Sequence, residues 1–446
     1  MKQTRLIATA ALLWLAISAA QAIGAQAGPL SAAAVKVDIT PADPSQLTNQ
    51  WGVPFAGVHD RTYARVLVVN NGAASAVIIA IDTVEVTNAA EFVARLARET
   101  GIPAANIAVT ATHDHNAPIV GMVDASGMHH AGPGGAAFLA KLYDDLVKAV
   151  QQAQANLQPV RLGVATGASS INVNRDQPVP GGGYRMGVDP LGPSDKTVWV
   201  LRFESLSGEP IALLINYAVH GTIIGMRNNL LTGEIAGATS RFVEQYYNNK
   251  VVALWTLGAA GDQAPIVSDP PDQPMNFEPV NVLGQILGEE VVRVAGGIDP
   301  KAMISQARIW GAERYVTCPG QKDSGGVGGP GVPGAQSGPG GPGQLGSAIQ
   351  AADARPVSFR LGVIMIDKIA LTEVSAEVVT KIYQEMRRQS PFTNTLMLTL
   401  ANGRVGYIPD DAAYDEGKPE SGMAALKKGC GETMIVNGLL DLIRQY

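Results

Sequence analysis

Short apolar runs and amphipathic stretches alternate along most of this chain. The segments AAVKVDITP, YARVLVVNN and SAVIIAIDTVEV are rich in apolar and β-branched residues and read as strands, the last ending near Asp82. AAEFVARLARETG has helical periodicity and is closed by Gly101, after which NIAVTATHDH returns as a strand. A long helix, AAFLAKLYDDLVKAVQQAQANL, precedes three strands, RLGVATGAS, KTVWVLRFES and PIALLINYAVHG. GEIAGATSRFVEQYYNN then reads as a helix and VVALWTLGAAGD as a strand. Beyond residue 346, SFRLGVIMIDKIALTEVSAEVVTKIYQEMRRQS gives two strands and a helix, LMLTLANGRVGYIP follows, and a helix closes the chain from about Thr433 to Tyr446. This alternation predicts an α/β layered fold, with polar clusters where strands end, as open α/β sheets place their sites.

The pattern breaks at residues 318–346, where Gly and Pro are too dense for a packed element. The stretch reads as a flexible loop inserted in one domain, not as a boundary between two. At the other end, Lys2 and Arg5 precede an apolar run over Leu6–Ile17, and small residues at Ala20/Ala22 and Ala25/Ala27 follow. That is the layout of a signal peptide over residues 1–27, which leaves 28–446 as the mature chain, periplasmic or secreted. Export gives the only cysteines, Cys318 and Cys430, an oxidising compartment in which to bridge.

Composition narrows the function classes. Of 446 residues, 46% are hydrophobic and only 16% charged, with a formal net charge of -6. Lys and Arg are scattered, which removes the electrostatic footprint of a nucleic-acid binder. The candidate chemistry lies in VTATHDHNAPIVG, where His113 and His115 are one residue apart at the end of a predicted strand. Residues i and i+2 of a strand point the same way, so both imidazoles can serve one metal ion; taken alone, the pair is equally a polar surface turn. His220 ends the LLINYAVHG strand, Glu377 sits at a strand-to-helix junction and Tyr407 lies beside a glycine. Each has an ordinary structural explanation when read singly.

Read together, these segments resemble the catalytic region of the neutral, non-lysosomal ceramidase family. The resemblance runs through VDITP, GVHDRTYARVLVV, ATHDHNAP in place of the family's THTHSGP, NVNRDQP, NYAVHGT, LTGEIAG, GAAGDQAP, SAEVVTKI and NGRVGYIP. It implies a mixed layered α/β catalytic domain of the neutral ceramidase type. It also implies a zinc ion held by His113, His220, Glu377 and Tyr407, with His115 beside the metal and Arg175 facing a developing oxyanion or a polar group of the substrate. Asp262 would orient water or a ligand histidine, although a Gly-Asp turn after a strand explains it as well. Such a zinc site keeps a position for water, lowers that water's pKa to about 7 and polarises the scissile carbonyl.

Three departures qualify the resemblance. Ser375-Ala376 stands where the family has Pro-Gly before the glutamate, and Ala264 stands where it has a serine regarded as catalytic. The chain ends about forty residues after Tyr407, so the family's C-terminal immunoglobulin-like domain is not expected. The expectation is therefore a zinc-dependent amidohydrolase that uses metal-activated water on an N-acyl bond of a small or lipid-like acylated substrate, such as a sphingolipid. A lipid-like substrate also allows peripheral membrane contact; nothing in the sequence sets the oligomeric state. The alternatives are an esterase or lactonase with the same metal, and a binding protein without catalysis.

Overall fold

The computed structural model of the chain describes residues 26–86, 89–120, 131–225, 228–268, 275–321 and 355–446. The expected signal segment through residue 25 and the Gly/Pro-rich stretch from 322 lie outside the described residues.

Eight strands form the larger sheet, in the order Val252–Leu257, Pro210–Tyr217, Thr197–Ser205, Gln158–Ala168, Ser31–Asp38, Tyr63–Asn70, Ser75–Ile81 and Ile107–Ala111. Pairing is parallel at its two ends and antiparallel between. The sequence shows why the central strands are continuous apolar runs. Val66 and Val68 pack on one face and Leu67 and Val69 on the other, all fully buried, because both faces are covered. A second sheet, in the order Ile309–Cys318, Val357–Ile366, Ile369–Val374 and Asn394–Thr399, shares the inner core, where Ile364, Leu371 and Leu398 meet Ile78, Leu201 and Leu214.

Helices cover the outer faces. Ala89–Thr100 and Gly135–Ala155 bury Phe92, Leu96, Leu142 and Leu146 over one half of the larger sheet. Glu234–Tyr246 and Glu278–Gly296 cover the other half, and Thr380–Gln389 and Gly431–Ile443 cover the second sheet. The expected mixed α/β layering is thus present. The sequence reading did not anticipate the 19-residue Glu278–Gly296 helix or the Ile309–Cys318 strand. In the helix, Gly284 and Gly288 sit where a Cβ would meet Ala238 and Phe242, so glycines of poor helix propensity are there for close packing on the neighbouring helix.

The larger sheet coils until its edge strand Val252–Leu257 comes into contact with Ile107–Ala111 at the opposite edge. The second sheet fastens this seam. Thr110 bridges to Ala401, and Asn216 donates to the Met397 carbonyl at 2.9 Å. The carboxyl ends of Ile107–Ala111, Pro210–Tyr217 and Val252–Leu257 are thereby gathered in one place. Away from the seam, Cys318 and Cys430 form a disulfide across 112 residues and tie the end of a strand to the start of the last helix. No helix among the described residues is long and apolar enough to cross a membrane.

Candidate metal centre

His113 and His115 do not reach one centre by strand alternation, as the sequence suggested. The strand stops at Ala111, and His113 adopts a left-handed conformation with φ 63°. A non-glycine residue held there costs on the order of 1–3 kcal/mol and persists only where its surroundings fix it. Those surroundings are explicit. Asp114 pairs with Gly221 and its carboxylate accepts from the Asn116 N–H at 2.8 Å, while the His115 N–H donates to the Gly221 carbonyl at 3.2 Å. The loop bearing His113 and His115 is therefore sewn to the loop bearing His220.

Glu377 and Tyr407 arrive from the second half of the chain. Two short strands, Glu377–Val378 and Tyr407–Ile408, pair in parallel with Glu377 directly opposite Tyr407. The reading of Glu377 at a strand-to-helix junction holds, since the Thr380–Gln389 helix follows at once.

The side chains converge. The His113, His115 and His220 ligand atoms lie within 4.8 Å of one another. Glu377 Oε2 is 3.2 Å from His113 Nε2 and 3.4 Å from His220 Nε2, and Tyr407 Oη is 3.4 Å from His220 Nε2. His113 Nδ1 donates to the Val84 carbonyl at 2.9 Å, and His220 Nδ1 donates to the Gln263 carbonyl at 3.0 Å. A carbonyl can only accept, so each bond places the ring proton on Nδ1 and leaves an Nε2 lone pair facing inward. His115 is held differently: its Nδ1 faces the Gln50 side-chain nitrogen at 2.7 Å, and its Nε2 lies 3.2 Å from His113 Nε2.

The electrostatics follow from burial. His115 is pushed well below the usual histidine range by burial and then by His113 and His220, and His220 is pushed down to about 4 by burial, Arg175 and His113. Burial alone would raise Glu377, but His113, His220 and Arg404 around it hold it well below the usual carboxylate range. Tyr407 is shifted well upward, by burial first. Glu377 Oε2 is buried and accepts no well-directed hydrogen bond. Two imidazole nitrogens and a buried carboxylate oxygen without a hydrogen-bond partner thus converge on one point, and that donor set fits a zinc ion.

Arg175 stands at the edge of this cluster. Its Nε binds Glu420 at 2.8 Å, its Nη1 is 3.2 Å from His220 Nε2 and its guanidinium lies 5.2 Å from the Tyr407 ring centroid. Asp262 does not enter the cluster. Its carboxylate accepts from Asn174 at 2.9 Å and from the Thr380 N–H at 2.8 Å, and the contact with His220 is made by the carbonyl of the next residue, Gln263. Ala264 pairs with Val173 and brings no side-chain oxygen. Gln50 and Glu420 went unmarked in the sequence. Neither lies in a motif, and each meets its partner across 65 and 245 residues respectively, so no local signal announces it.

Known proteins resemble this chain in sequence and in fold. The family described as neutral/alkaline non-lysosomal ceramidase, N-terminal, matches residues 49–278. A neutral ceramidase of Pseudomonas aeruginosa is 28% identical over 229 residues, which is 47% of this chain and 32% of that protein. Neutral ceramidase 1 of Arabidopsis thaliana is 30% identical over 152 residues, 28% of this chain and 18% of that protein. The matched segments thus span a third or less of those relatives. In fold, the crystal structure of the Pseudomonas aeruginosa neutral ceramidase aligns with a TM-score of 0.70 at 19% identity, covering 93% of this chain and 74% of that one. A ceramidase complexed with C2 aligns at 0.73 and 18% identity, covering 93% of this chain and 75% of that one. With the family match extending over more than half of its length, the chain belongs to the neutral/alkaline non-lysosomal ceramidase family.

Proposed function

We propose that this chain is a zinc-dependent hydrolase of N-acyl (amide) bonds, acting on an acylated amine of the ceramide type. The observation that carries the proposal is the set of inward-facing acceptors, His113 Nε2, His220 Nε2 and Glu377 Oε2 with Tyr407 Oη beside them, in a family named for ceramidases. Zinc held by His113, His220, Glu377 and Tyr407 supplies Lewis acidity toward the scissile carbonyl and an acidified water.

The remaining residues have distinct tasks. Val84 and Gln263 fix the orientation of the two ligand imidazoles through their carbonyls. Arg175, anchored by Glu420, presents a buried cation to an oxygen that gains negative charge when the carbonyl becomes tetrahedral. His115 sits beside the ligands, where it can hold or move a proton at Nε2. Ala264 offers no nucleophile, which leaves water as the attacking group. Hydrolysis then adds water across the C–N bond, releasing the acyl group as a carboxylate and the amine with a proton. We infer export as well: the Cys318–Cys430 disulfide suits an oxidising compartment, as does the N-terminal signal pattern.

Elemental analysis of the purified protein, with hydrolysis assays on an N-acyl amine and its matched ester, tests the reading. We expect about one zinc per chain, amide cleavage, loss of activity on chelation and recovery on adding zinc. Cleavage of the ester alone would move the assignment to an esterase or lactonase. Absence of zinc together with no activity after zinc addition would move it to a binding protein.

A further inference from the structure

The geometry points to the hairpin beside Arg175 as a lipid-docking ridge, in which Met186, Val188 and Leu191 enter the apolar part of a phospholipid surface and Arg185 meets the headgroup phosphates. The inference rests on the reading of the substrate as a lipid-like N-acyl amine. It goes beyond that reading by naming the surface through which the protein reaches a substrate held in a lipid layer.

A small sheet at the rim of the metal centre builds the ridge. Its strands are Gln263–Pro265, Asn172–Pro178 and Tyr184–Asp189, in that order, and Arg175 belongs to the middle one. Asn174 pairs with Asp189 and Asp176 with Met186, so Arg175 alone is opposed by both Gly187 and Val188. That is a β-bulge, which puts an extra residue on the edge strand and increases its twist. Val188 therefore lies one strand spacing, about 5 Å, from the Arg175 backbone.

The edge strand departs from the pattern of the larger sheet, whose central strands bury their apolar side chains on both faces. Here Met186 is 50% exposed, Val188 49% and, just past the strand, Leu191 96%. A closed turn fixes the backbone that carries Leu191: Asp189 Oδ1 accepts from the Leu191 N–H at 3.0 Å and the Asp189 carbonyl from the Gly192 N–H at 3.2 Å. On the other side of the middle strand, the chain leaving Pro265 exposes Ile266 and Val267 as well. Exposed apolar residues scattered singly are ordinary, but a group on both flanks of one small sheet marks a surface for another apolar phase.

Charge and backbone select the partner. Over residues 177–192 the only charged side chains are Arg185 and Asp189. Asp189 is committed to its own turn, while Arg185 is exposed, with its Nε donating to Gln177 Oε1 at 3.1 Å. A chain of net charge -6 thus presents here an apolar ridge whose one carboxylate caps its own backbone and whose one cation can meet phosphates. The bulge and the neighbouring Pro178 and Pro190 work against a second strand adding to this edge, which favours a lipid surface over another copy of the chain.

Flotation with vesicles tests the ridge without turnover. Zinc-loaded protein is mixed with vesicles of phosphatidylcholine, or of phosphatidylcholine with phosphatidylglycerol, and centrifuged through a density gradient. We expect it to float with both and more strongly with the second. Leu191→Asp and Met186→Asp, at exposed positions, should each lower the partition coefficient by about 10-fold or more, as expected when a large apolar side chain is withheld from an apolar phase. Arg185→Gln should lower it about 5-fold on the anionic vesicles and leave it unchanged on phosphatidylcholine alone. Cleavage of a short-chain, water-soluble N-acyl amine should be the same in all three variants as in the wild type, while cleavage of a long-chain one carried in vesicles falls with binding. A wild type that stays out of the vesicle fraction, or Asp variants that float as well as the wild type, overturns the inference. So does sedimentation in which Leu191→Asp converts a wild-type dimer to monomers, which would assign the ridge to a second copy of the chain. A protein that floats yet cleaves neither amide nor ester keeps the docking ridge and fails the proposed activity instead.

Discussion

Two buried polar clusters in this molecule look alike in composition and differ in what their atoms face. In the larger sheet, Arg65 is fastened to Glu244 at 2.8 Å and lies 3.5 Å from Asp82, and Lys36 meets Glu244 at 2.5 Å. Two cations meet two carboxylates, and the atoms left over, Arg65 Nη2 and Asp82 Oδ1, are one donor and one acceptor. At the seam, His113 Nε2, His220 Nε2 and Glu377 Oε2 converge within 3.2–3.4 Å, and Arg175 is the one cation among the site residues named above that reaches them, on the His220 side. The first cluster is complete as protein. The second is built to receive something, and burial of polar groups alone would not have told the two apart.

The sharpest way to break this contrast is to remove a ligand. His220→Ala should lose bound zinc and bring amide hydrolysis down to background while the thermal melt stays close to that of chelated wild type; full zinc occupancy in the purified variant would mean that His220 is not a ligand. In the sheet cluster the outcome should invert. Arg65→Met leaves Glu244 and Asp82 buried without their main cation, a loss of about 3–5 kcal/mol by urea denaturation, with zinc content per folded chain unchanged. Metal loss without destabilisation in that variant would erase the distinction.

A smaller effect separates the clusters by pH. In zinc-free protein, burial and then Arg175 and His113 depress His220 to about 4, below its ordinary 6.5. The unfolded chain therefore takes up this proton first. Stability is full above about pH 6.5 and declines as pH falls toward 4, by about 3 kcal/mol if the whole shift is realised. Glu244 is also depressed, by Arg65 and Lys36 acting against burial, so its contribution is present above 4.5 and is lost only at lower pH. Melts of chelated protein should show the first decline between pH 6.5 and 4, and His220→Gln should flatten it. An unchanged slope in that variant would assign the decline to other groups.

Much of the fold was legible because its central strands are buried on both faces. YARVLVV and SAVIIAI are unbroken apolar runs for that reason, and the helices over them show a single apolar face. The Ile309–Cys318 strand was missed because only its first and last residues are buried, while the residues between are half-buried or exposed, with Glu313 and Arg314 in its middle. At the site, the residues that motifs carry were visible: His113, His115, His220, Arg175, Glu377 and Tyr407. Asp262 was visible too, but its carboxylate is committed to Asn174 and Thr380 rather than to the metal donors.

The sequence by itself determined which side chains are chemically able to hold a metal, and where the strand ends that carry them fall. Which of these atoms meet was decided only by tertiary structure. The coiling of the larger sheet brings Ile107–Ala111 to Val252–Leu257, the parallel pairing of Glu377–Val378 with Tyr407–Ile408 sets carboxylate beside phenol, and a left-handed His113 turns its ring inward. The orientations of the three imidazoles depend on one further layer, the groups that face their Nδ1 atoms. Two of those groups, at Val84 and Gln263, are backbone carbonyls that every residue possesses, and the third belongs to Gln50, 65 residues from His115. A backbone carbonyl leaves no mark in a sequence, and a glutamine marks nothing until the fold puts its amide against a ring.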